Sequence, residues 1–304
     1  MKRFLPTLAV LTCAATTVSA APRVPSAQKA PAVAPMAQQV VQQAVQQGVQ
    51  PVAPPVAAST ERPSRRDMVR RILGHSVRFM VYDGPTARRT ASGVAIATET
   101  NPDGAFSYVL TNAHAVDTRG LSEPRFSVLV EDRGDVSEFF ARPVAVGSVP
   151  DMDLALVKVR GVSLPAVALA EDSELELGDD VVVAAAPYGK ALSISGGMIS
   201  QVEWDRETRR PLMLKTDAPI GYGASGGGIY SLATGKLVAI VEGYRTAKIG
   251  FEVGDQPYSF DVPMPGETFA SPSGKVRGFL EAKGFGHILQ PVQAAAGPVS
   301  AAAR

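Results

Sequence analysis

The chain has almost no cysteine and very little histidine. Cys13 is the single cysteine among 304 residues, and it lies in a segment that we expect to be removed. The mature protein is therefore expected to hold neither a disulfide nor a cysteine metal site. The histidines are His75, His114 and His287, too few for a histidine-rich metal cluster. We predict that the protein uses no cofactor and no metal.

Charge of one sign is also lacking. The formal net charge is +1, and charged residues make up 19% of the chain. This balance gives no reason to expect a nucleic acid or a strongly acidic surface as a partner.

Long apolar runs are absent as well, and the longest sits at the start. A basic Met1-Lys2-Arg3 precedes an apolar stretch over residues 4–14 and the small residues Val18-Ser19-Ala20, the pattern of a cleaved signal peptide. We predict a signal peptide over residues 1–20 and a secreted or periplasmic product. The apolar run is too short to span a bilayer, so no stable membrane insertion is expected after cleavage. A lipoprotein signal on Cys13 is a weaker alternative, because the residues before it match a lipobox poorly.

Composition divides the rest of the chain into three parts. Residues 21–62 are rich in Ala, Pro and Gln, and such a segment buries too little apolar surface to offset its ordering entropy. We predict a disordered linker over residues 21–62, an ordered domain over residues 63–286, and a second disordered tail over residues 287–304. Hydrophobic residues make up 45% of the chain, enough for a sizeable core.

Many short, β-rich runs separated by Gly, Pro, Asn and Asp predict an all-β sandwich or barrel. The predicted strands are 77–82, 90–97, 106–111, 126–130, 154–159, 181–185, 197–202, 212–216 and 237–241. Helices are predicted only at the edges of the domain, over residues 65–73 behind a Ser64 cap and over residues 274–283.

The serine in Gly223-Ala-Ser-Gly-Gly227 is the first candidate functional residue. Glycines allow a tight turn that presents a serine hydroxyl beside several backbone N–H groups, which is the arrangement that acyl transfer needs. The alternative is a glycine-rich hairpin turn without chemistry.

His114 and Asp153 are the candidate partners of Ser225. His114 directly follows a predicted strand and could act as a general base. Asp153 opens an apolar strand, where a carboxylate needs a partner. The chain order His, Asp, Ser and the strand context exclude the α/β-hydrolase elbow, which needs a histidine after the serine and a strand–turn–helix setting.

At this point the sequence resembles the trypsin-like serine proteases, specifically the HtrA/Deg branch, over about residues 76–265. The motifs that carry the resemblance occur in the family's order: Thr111-Asn-Ala-His114, Asp153-Leu-Ala-Leu156, Gly178-Asp-Asp-Val-Val-Val183, Pro187-Tyr-Gly189, Gly197-Met-Ile-Ser200, Thr216-Asp-Ala218, Gly223-Ala-Ser-Gly-Gly227 and Phe260-Asp-Val-Pro263.

The resemblance implies two antiparallel six-stranded β-barrels, the first over about residues 76–160 and the second over about residues 178–265. It also implies a catalytic triad of Ser225, His114 and Asp153, with the oxyanion hole formed by the N–H groups of Gly223 and Ser225. The substrate pocket is then expected to be lined by Ile220, Tyr222, Val241, Glu242 and Gly243.

The sequence departs from the family pattern at four places. Ala224 replaces the usual Asn or Asp, and Gly228 replaces a frequent proline, which leaves open whether the oxyanion hole is preformed or needs activation. Pro219 stands six residues before Ser225, where trypsin has an aspartate, so we expect an apolar or small P1 residue. Residues 263–304 are too few for the usual C-terminal PDZ domain, and regulation through one is not expected.

We therefore predict an exported serine endopeptidase that acts on protein or peptide substrates, with unfolded proteins among the candidates. The alternative is a catalytically impaired, protease-like binding or chaperone module. The sequence makes no prediction about the oligomeric state.

Overall fold

Two closed β-barrels account for most of residues 63–289, the part of the chain that the computed structural model describes. Twelve strands lie within this range, six in each barrel, and every pairing between neighbouring strands is antiparallel. The predicted fold class is confirmed.

The first barrel has the strand order β1-β2-β3-β6-β5-β4, and it closes because β1 pairs with β4. Its interior follows from simple alternation: Val77, Phe79 and Val81 point inward from β1 and are fully buried. The strands are β1 (Ser76–Asp83), β2 (Thr86–Asn101), β3 (Gly104–Thr111), β4 (Pro124–Asp132), β5 (Asp135–Val146) and β6 (Ala155–Arg160).

The second barrel has the order β10-β11-β12-β9-β8-β7. The strands are β7 (Asp180–Ala185), β8 (Ser193–Trp204), β9 (Pro211–Thr216), β10 (Gly228–Ser231), β11 (Leu237–Val253) and β12 (Gln256–Pro272). This barrel extends to Pro272, beyond the predicted end near residue 265, because β12 is much longer than its motif. The segment between β6 and β7 contains only a 3-10 turn, Asp172–Glu174.

Helix α1 (Arg65–His75) packs at the junction of the barrels, and helix α2 (Ser273–Ala282) follows β12. As predicted, Ser64 caps α1, its hydroxyl accepting a hydrogen bond from the Asp67 N–H at 3.2 Å. The largest apolar cluster combines side chains of both helices and both barrels, including Ile72, Leu110, Leu237 and Phe279. The two barrels therefore share one core.

The ordered chain continues past the predicted boundary at residue 286. Gly286–Leu289 forms a 3-10 turn, and Ile288 and Leu289 pack against the shared core. The predicted signal peptide, the predicted linker over residues 21–62 and the rest of the predicted tail lie outside the described residues.

The outer halves of β11 and β12 form a two-stranded hairpin beyond Thr246 with one apolar face. The pairs Ile249–Phe260 and Phe251–Tyr258 lie on this face, and Phe251 stacks on Tyr258 with ring centroids 5.6 Å apart. The opposite face carries the pair Lys248–Asp261.

Among the helices within residues 63–289, none has both the length and the apolar character needed to cross a membrane.

Candidate active site

The structure brings His114, Asp153 and Ser225 together at the junction of the two barrels. His114 begins a 3-10 turn directly after β3, and Asp153 lies just before β6. Ser225 lies in the loop between β9 and β10, which belongs to the second barrel. His114 and Ser225 both line two adjoining pockets, so they face the same cleft.

Asp153 holds His114 through two hydrogen bonds. The His114 ring donates from Nδ1 to Asp153 Oδ2 at 2.6 Å, and the His114 backbone N–H donates to Asp153 Oδ1 at 2.9 Å. Asp153 is in turn fixed by the buried Asn112, whose Nδ2 donates to the Asp153 carbonyl at 2.8 Å. These bonds fix the orientation of the imidazole ring and leave Nε2 as the ring nitrogen that Asp153 does not bind. The Asp153 carboxylate is largely shielded from water.

The hydroxyl of Ser225 donates to the carbonyl of Glu242 at 3.2 Å. Among the hydrogen bonds of residues 63–289, none joins Ser225 to His114. The serine hydroxyl is therefore directed at the Glu242 carbonyl and not at the imidazole.

The serine loop, which we define as residues 221–227, has four backbone N–H groups that no acceptor within residues 63–289 takes, those of Gly221, Tyr222, Gly223 and Ser225. The N–H groups of Gly223 and Ser225 are those of the predicted oxyanion hole. The preceding carbonyl of each is occupied: Tyr222 O accepts from the Tyr188 N–H, and Ala224 O accepts from the Gly227 N–H at 2.9 Å. Because N–H and C=O point in opposite directions across a trans peptide, these bonds direct the N–H groups of Gly223 and Ser225 away from the donors Tyr188 and Gly227.

Ser92, a residue of β2 that sequence analysis did not single out, makes two hydrogen bonds to the serine loop and one to Ala186. Its Oγ donates to Gly223 O at 2.7 Å, and its N–H donates to Ser225 O at 2.8 Å. The same Oγ accepts from the Ala186 N–H at 2.9 Å. In the sequence, Ser92 is a small polar residue next to small apolar ones. This local pattern does not show which atoms of the other barrel the residue contacts.

The departures at Ala224 and Gly228 have structural reasons. Ala224 is fully buried in the apolar core of the second barrel, with Ala218 and Val241 in the same cluster. A Cβ at Gly228 would lie 2.5 Å from the ring of Tyr230, so this ring leaves no room for a proline there.

One pocket beside Ser225 has a volume of about 330 Å³. Three of the five predicted pocket residues line it: Ile220, Tyr222 and Gly243. Val241 is fully buried in the core instead. Glu242 reaches the site through its carbonyl, while its carboxylate accepts from Ser271 Oγ and lies 3.6 Å from Lys275 Nζ.

Tyr244 and Thr246 also line this pocket and were not predicted. They follow the predicted strand 237–241, which in the structure continues to Val253. Burial, with the neighbouring Tyr222 hydroxyl, raises the pKa of Tyr244 to about 12, so its phenol is neutral at ordinary pH. The pocket lining contains no carboxylate or ammonium group.

A second pocket, of about 460 Å³, adjoins the first and is also lined by Ser225. Its lining includes Val81, Arg89 and Ala115 from the first barrel. Ser225 therefore contributes to two adjoining recesses. In the described part of the chain, no group of three or more His, Cys, Asp or Glu side chains is placed to hold a metal ion.

The two-barrel fold and the site at its junction are the arrangement expected of a trypsin-like serine protease. Sequence comparison identifies the same class of protein. Residues 91–240 match the family described as trypsin-like peptidase domain. The chain thus contains a trypsin-like peptidase domain.

Curated relatives point to a narrower group among the trypsin-like peptidases. A probable periplasmic serine endoprotease DegP-like from Pseudomonas fluorescens is 30% identical over 188 residues, covering 61% of this chain and 36% of that protein. A protein of the same description from Ectopseudomonas mendocina is 29% identical over 226 residues, covering 74% of this chain and 44% of that protein. The chain is homologous to the DegP/HtrA serine endoproteases, and it spans less than half the length of these relatives.

Solved structures have the same fold. The HtrA-type protease AlgW with a tripeptide superposes with a TM-score of 0.54 at 24% identity, covering 74% of this chain and 64% of that chain. A serine endoprotease from Yersinia pestis gives a TM-score of 0.52 at 25% identity, covering 73% of this chain and 66% of that chain.

Proposed function

We propose that the protein is an exported serine endopeptidase with Ser225 as nucleophile, His114 as general base and Asp153 as the residue that orients the imidazole. The observation that carries the proposal is the meeting, in one cleft, of the hydrogen-bonded His114–Asp153 pair, the Ser225 hydroxyl and the free backbone N–H groups of Gly223 and Ser225. Homology to serine endoproteases supports the same reaction class.

The proposed mechanism begins with rotation of the Ser225 hydroxyl from Glu242 O to Nε2 of His114. His114 takes the proton as Ser225 Oγ attacks the peptide carbonyl, and Asp153 stabilises the resulting imidazolium. The N–H groups of Gly223 and Ser225 then stabilise the negative charge on the tetrahedral oxygen, where one such donor contributes about 3–4 kcal/mol. His114 returns the proton to the leaving amine, and water hydrolyses the acyl-enzyme by the same steps.

Covalent labelling tests the nucleophile directly. A fluorophosphonate probe should modify the wild-type protein and leave Ser225→Ala unmodified, and only the wild type should cleave unfolded casein. Loss of the nucleophile should lower kcat by about 10⁴- to 10⁶-fold. Ser231→Ala is the matched control, because this serine ends β10 at the edge of the same segment and should label normally. Equal labelling of wild type and Ser225→Ala would refute the assignment.

The alternative is a protease-like binding module, and the bond from Ser225 to Glu242 O is the observation that favours it. In that case the wild type should neither label nor cleave casein, while wild type and Ser225→Ala should bind unfolded casein with the same Kd. Labelling that depends on Ser225 decides against this alternative.

We further propose that the pocket bounded by Ile220, Tyr222 and Tyr244 accepts an apolar or small P1 side chain. The support is its lining, which offers no carboxylate to pair with lysine or arginine. A peptide library should be cleaved after apolar or small residues. Cleavage strictly after Lys or Arg would show that a charge outside this pocket selects the substrate.

Export is the remaining part of the proposal. The support is the signal-like sequence over residues 1–20 and the description of the curated relatives as periplasmic. Protein recovered after expression with its own N-terminus should begin at Ala21. An intact Met1 in the recovered protein would contradict export by cleavage.

A further inference from the structure

One buried hydroxyl connects the two segments that fix the free N–H groups of the site. Ser92 is fully buried in β2 of the first barrel. Its Oγ donates to Gly223 O at 2.7 Å and accepts from the Ala186 N–H at 2.9 Å. As a donor, this hydroxyl holds the serine loop. As an acceptor, it holds Ala186, the residue before the 3-10 turn Pro187–Gly189.

Both segments matter for the free N–H of Gly223. The turn supplies the Tyr188 N–H, which donates to Tyr222 O and so orients the Tyr222–Gly223 peptide. Ser92 fixes the start of that turn through Ala186 and fixes the following Gly223–Ala224 peptide through Gly223 O. Gly223 therefore has its two flanking peptides held, one of them directly and the other indirectly, by the same hydroxyl.

The turn is also held from the first barrel by a second contact. Arg78 of β1 donates from Nη1 to Gly189 O at 2.8 Å. Tyr188 lies at φ 56°, in the left-handed region that costs a non-glycine residue free energy. A turn with such a residue needs outside contacts to keep its shape, and β1 and β2 provide them.

The serine loop has no comparable support from its own side chains. Ala224 carries only a buried methyl group in an apolar cluster, and the neighbouring residues 221, 223, 226 and 227 are glycines. A loop of this composition is conformationally permissive. The hydrogen bonds from Ser92, on the opposite barrel, hold the loop in place of side-chain contacts that the loop itself lacks.

We propose that Ser92 is a positioning residue that keeps the oxyanion-binding N–H groups of Gly223 and Ser225 directed into the cleft. The proposal rests on the proposed peptidase function for its effect on catalysis, but its structural part does not. Removing the hydroxyl leaves Gly223 O and the N–H of the fully buried Ala186 without their partner, and the buried N–H can recover a hydrogen bond only if its segment moves.

Ser92→Ala and a matched control test the proposal. The control is Ser107→Ala, because Ser107 is an equally buried serine of the same barrel whose Oγ also donates to a carbonyl, Val162 O at 2.9 Å, and accepts from an N–H, that of Leu164 at 2.9 Å. Ser107 lies in β3 outside the cleft. Both variants lose the same number of hydrogen bonds, and only one of them should affect the site.

Three measurements on the full-length protein test the role of Ser92. In casein or peptide hydrolysis at equal folded fraction, Ser92→Ala should lose about 100-fold in kcat with little change in KM, because a displacement of about 1 Å costs this much. Its affinity for a peptide boronate, which forms a tetrahedral adduct on Ser225, should fall in parallel. By amide exchange, residues 186–190 and 219–228 should exchange faster in Ser92→Ala than in wild type and in Ser107→Ala.

The proposal would be overturned if amide exchange in residues 186–190 and 219–228 of Ser92→Ala stayed at the level seen in Ser107→Ala. It would also be overturned if the kcat of Ser92→Ala were within about threefold of the kcat of Ser107→Ala. A wild-type protein that resists fluorophosphonate is a separate failure: it rejects the peptidase function, and with it any catalytic role of Ser92. Amide exchange would still decide in that case whether Ser92 holds the two segments.

Discussion

At the scale of single residues, His75 gives the fold a dependence on pH that is separate from catalysis. The ring of His75, at the end of α1, is buried, and its Nδ1 donates to Pro165 O at 2.8 Å. Burial lowers the pKa of His75 below 6.5, with the hydrogen bond to Pro165 opposing this and the charge of Arg71 adding to it. The folded protein therefore takes up this proton at a lower pH than the unfolded chain.

Lowering the pH should therefore destabilise the folded protein through His75. The unfolded chain binds the proton first as pH falls below about 6.5, so the free energy of unfolding should decrease between about pH 7 and pH 5. His75→Asn, which keeps an N–H near the position of Nδ1, should make this decrease smaller. His287→Asn is the control, because that histidine is exposed. Urea unfolding at several pH values measures the slopes, and equal slopes in the two variants would contradict a role for His75.

Ala224 is the second residue whose environment makes a prediction. It is fully buried among apolar side chains, so Ala224→Asn would place an amide where no partner is available. We expect a loss of about 1–3 kcal/mol in the free energy of unfolding, without faster labelling of Ser225. Ala191→Asn, at an exposed alanine, should change stability little. A more stable and faster-labelling Ala224→Asn would mean that the loop accepts support from its own side chain.

At the scale of elements, the outer hairpin of β11 and β12 depends on its aromatic face. Phe251 contacts Tyr258 and Phe260, with ring centroids 5.6 Å and 6.0 Å away, and pairs of this kind contribute about 0.5–1.5 kcal/mol. Phe251→Ala should therefore speed amide exchange over residues 246–263 by about two- to tenfold, whereas Glu252→Ala on the other face should not. Equal exchange in the two variants would show that strand pairing alone holds the hairpin.

The elements that sequence analysis found and missed differ in their apolar patterning. Strand β1 alternates buried and half-buried side chains and was predicted, whereas β5 is mostly exposed and contains Glu138 and Arg142 among its residues. Strand β12 contains Pro257, Pro263 and Pro265, and proline within a run argues against a strand. These strands form through pairing with neighbours, which a local pattern does not reveal.

The site shows the same division. The meeting of His114, Asp153 and Ser225 was predictable from their residue types, order and flanking motifs. The contacts of Ser92 were not, since they depend on which backbone atoms of the second barrel come within hydrogen-bond distance of it. Tyr244 was missed because β11 continues past the predicted strand end at residue 241. Contacts across the barrels are properties of the assembled fold.

At the scale of the whole molecule, the barrels depend on one another. The largest apolar cluster contains residues of both barrels and of α2, and Tyr230 of β10 donates to Ser76 Oγ of β1 at 3.0 Å. The proposed catalytic groups are divided in the same way, with His114 and Asp153 on one barrel and Ser225 on the other. A site divided between two bodies needs them to be fixed relative to each other, and the shared core provides this.

The shared core predicts that the barrels unfold together. Phe279 of α2 is 1% exposed within it, so Phe279→Ala should cost about 3–5 kcal/mol, whereas Phe140→Ala, at a side chain that is 59% exposed, should cost little. Trp204, the single tryptophan, reports on the second barrel through its fluorescence, and amide exchange of β3 reports on the first. In Phe279→Ala both signals should shift to the same lower urea concentration, and Ser225 labelling should be lost there too. Two separate midpoints would mean that each barrel is stable alone and that the shared core only docks them.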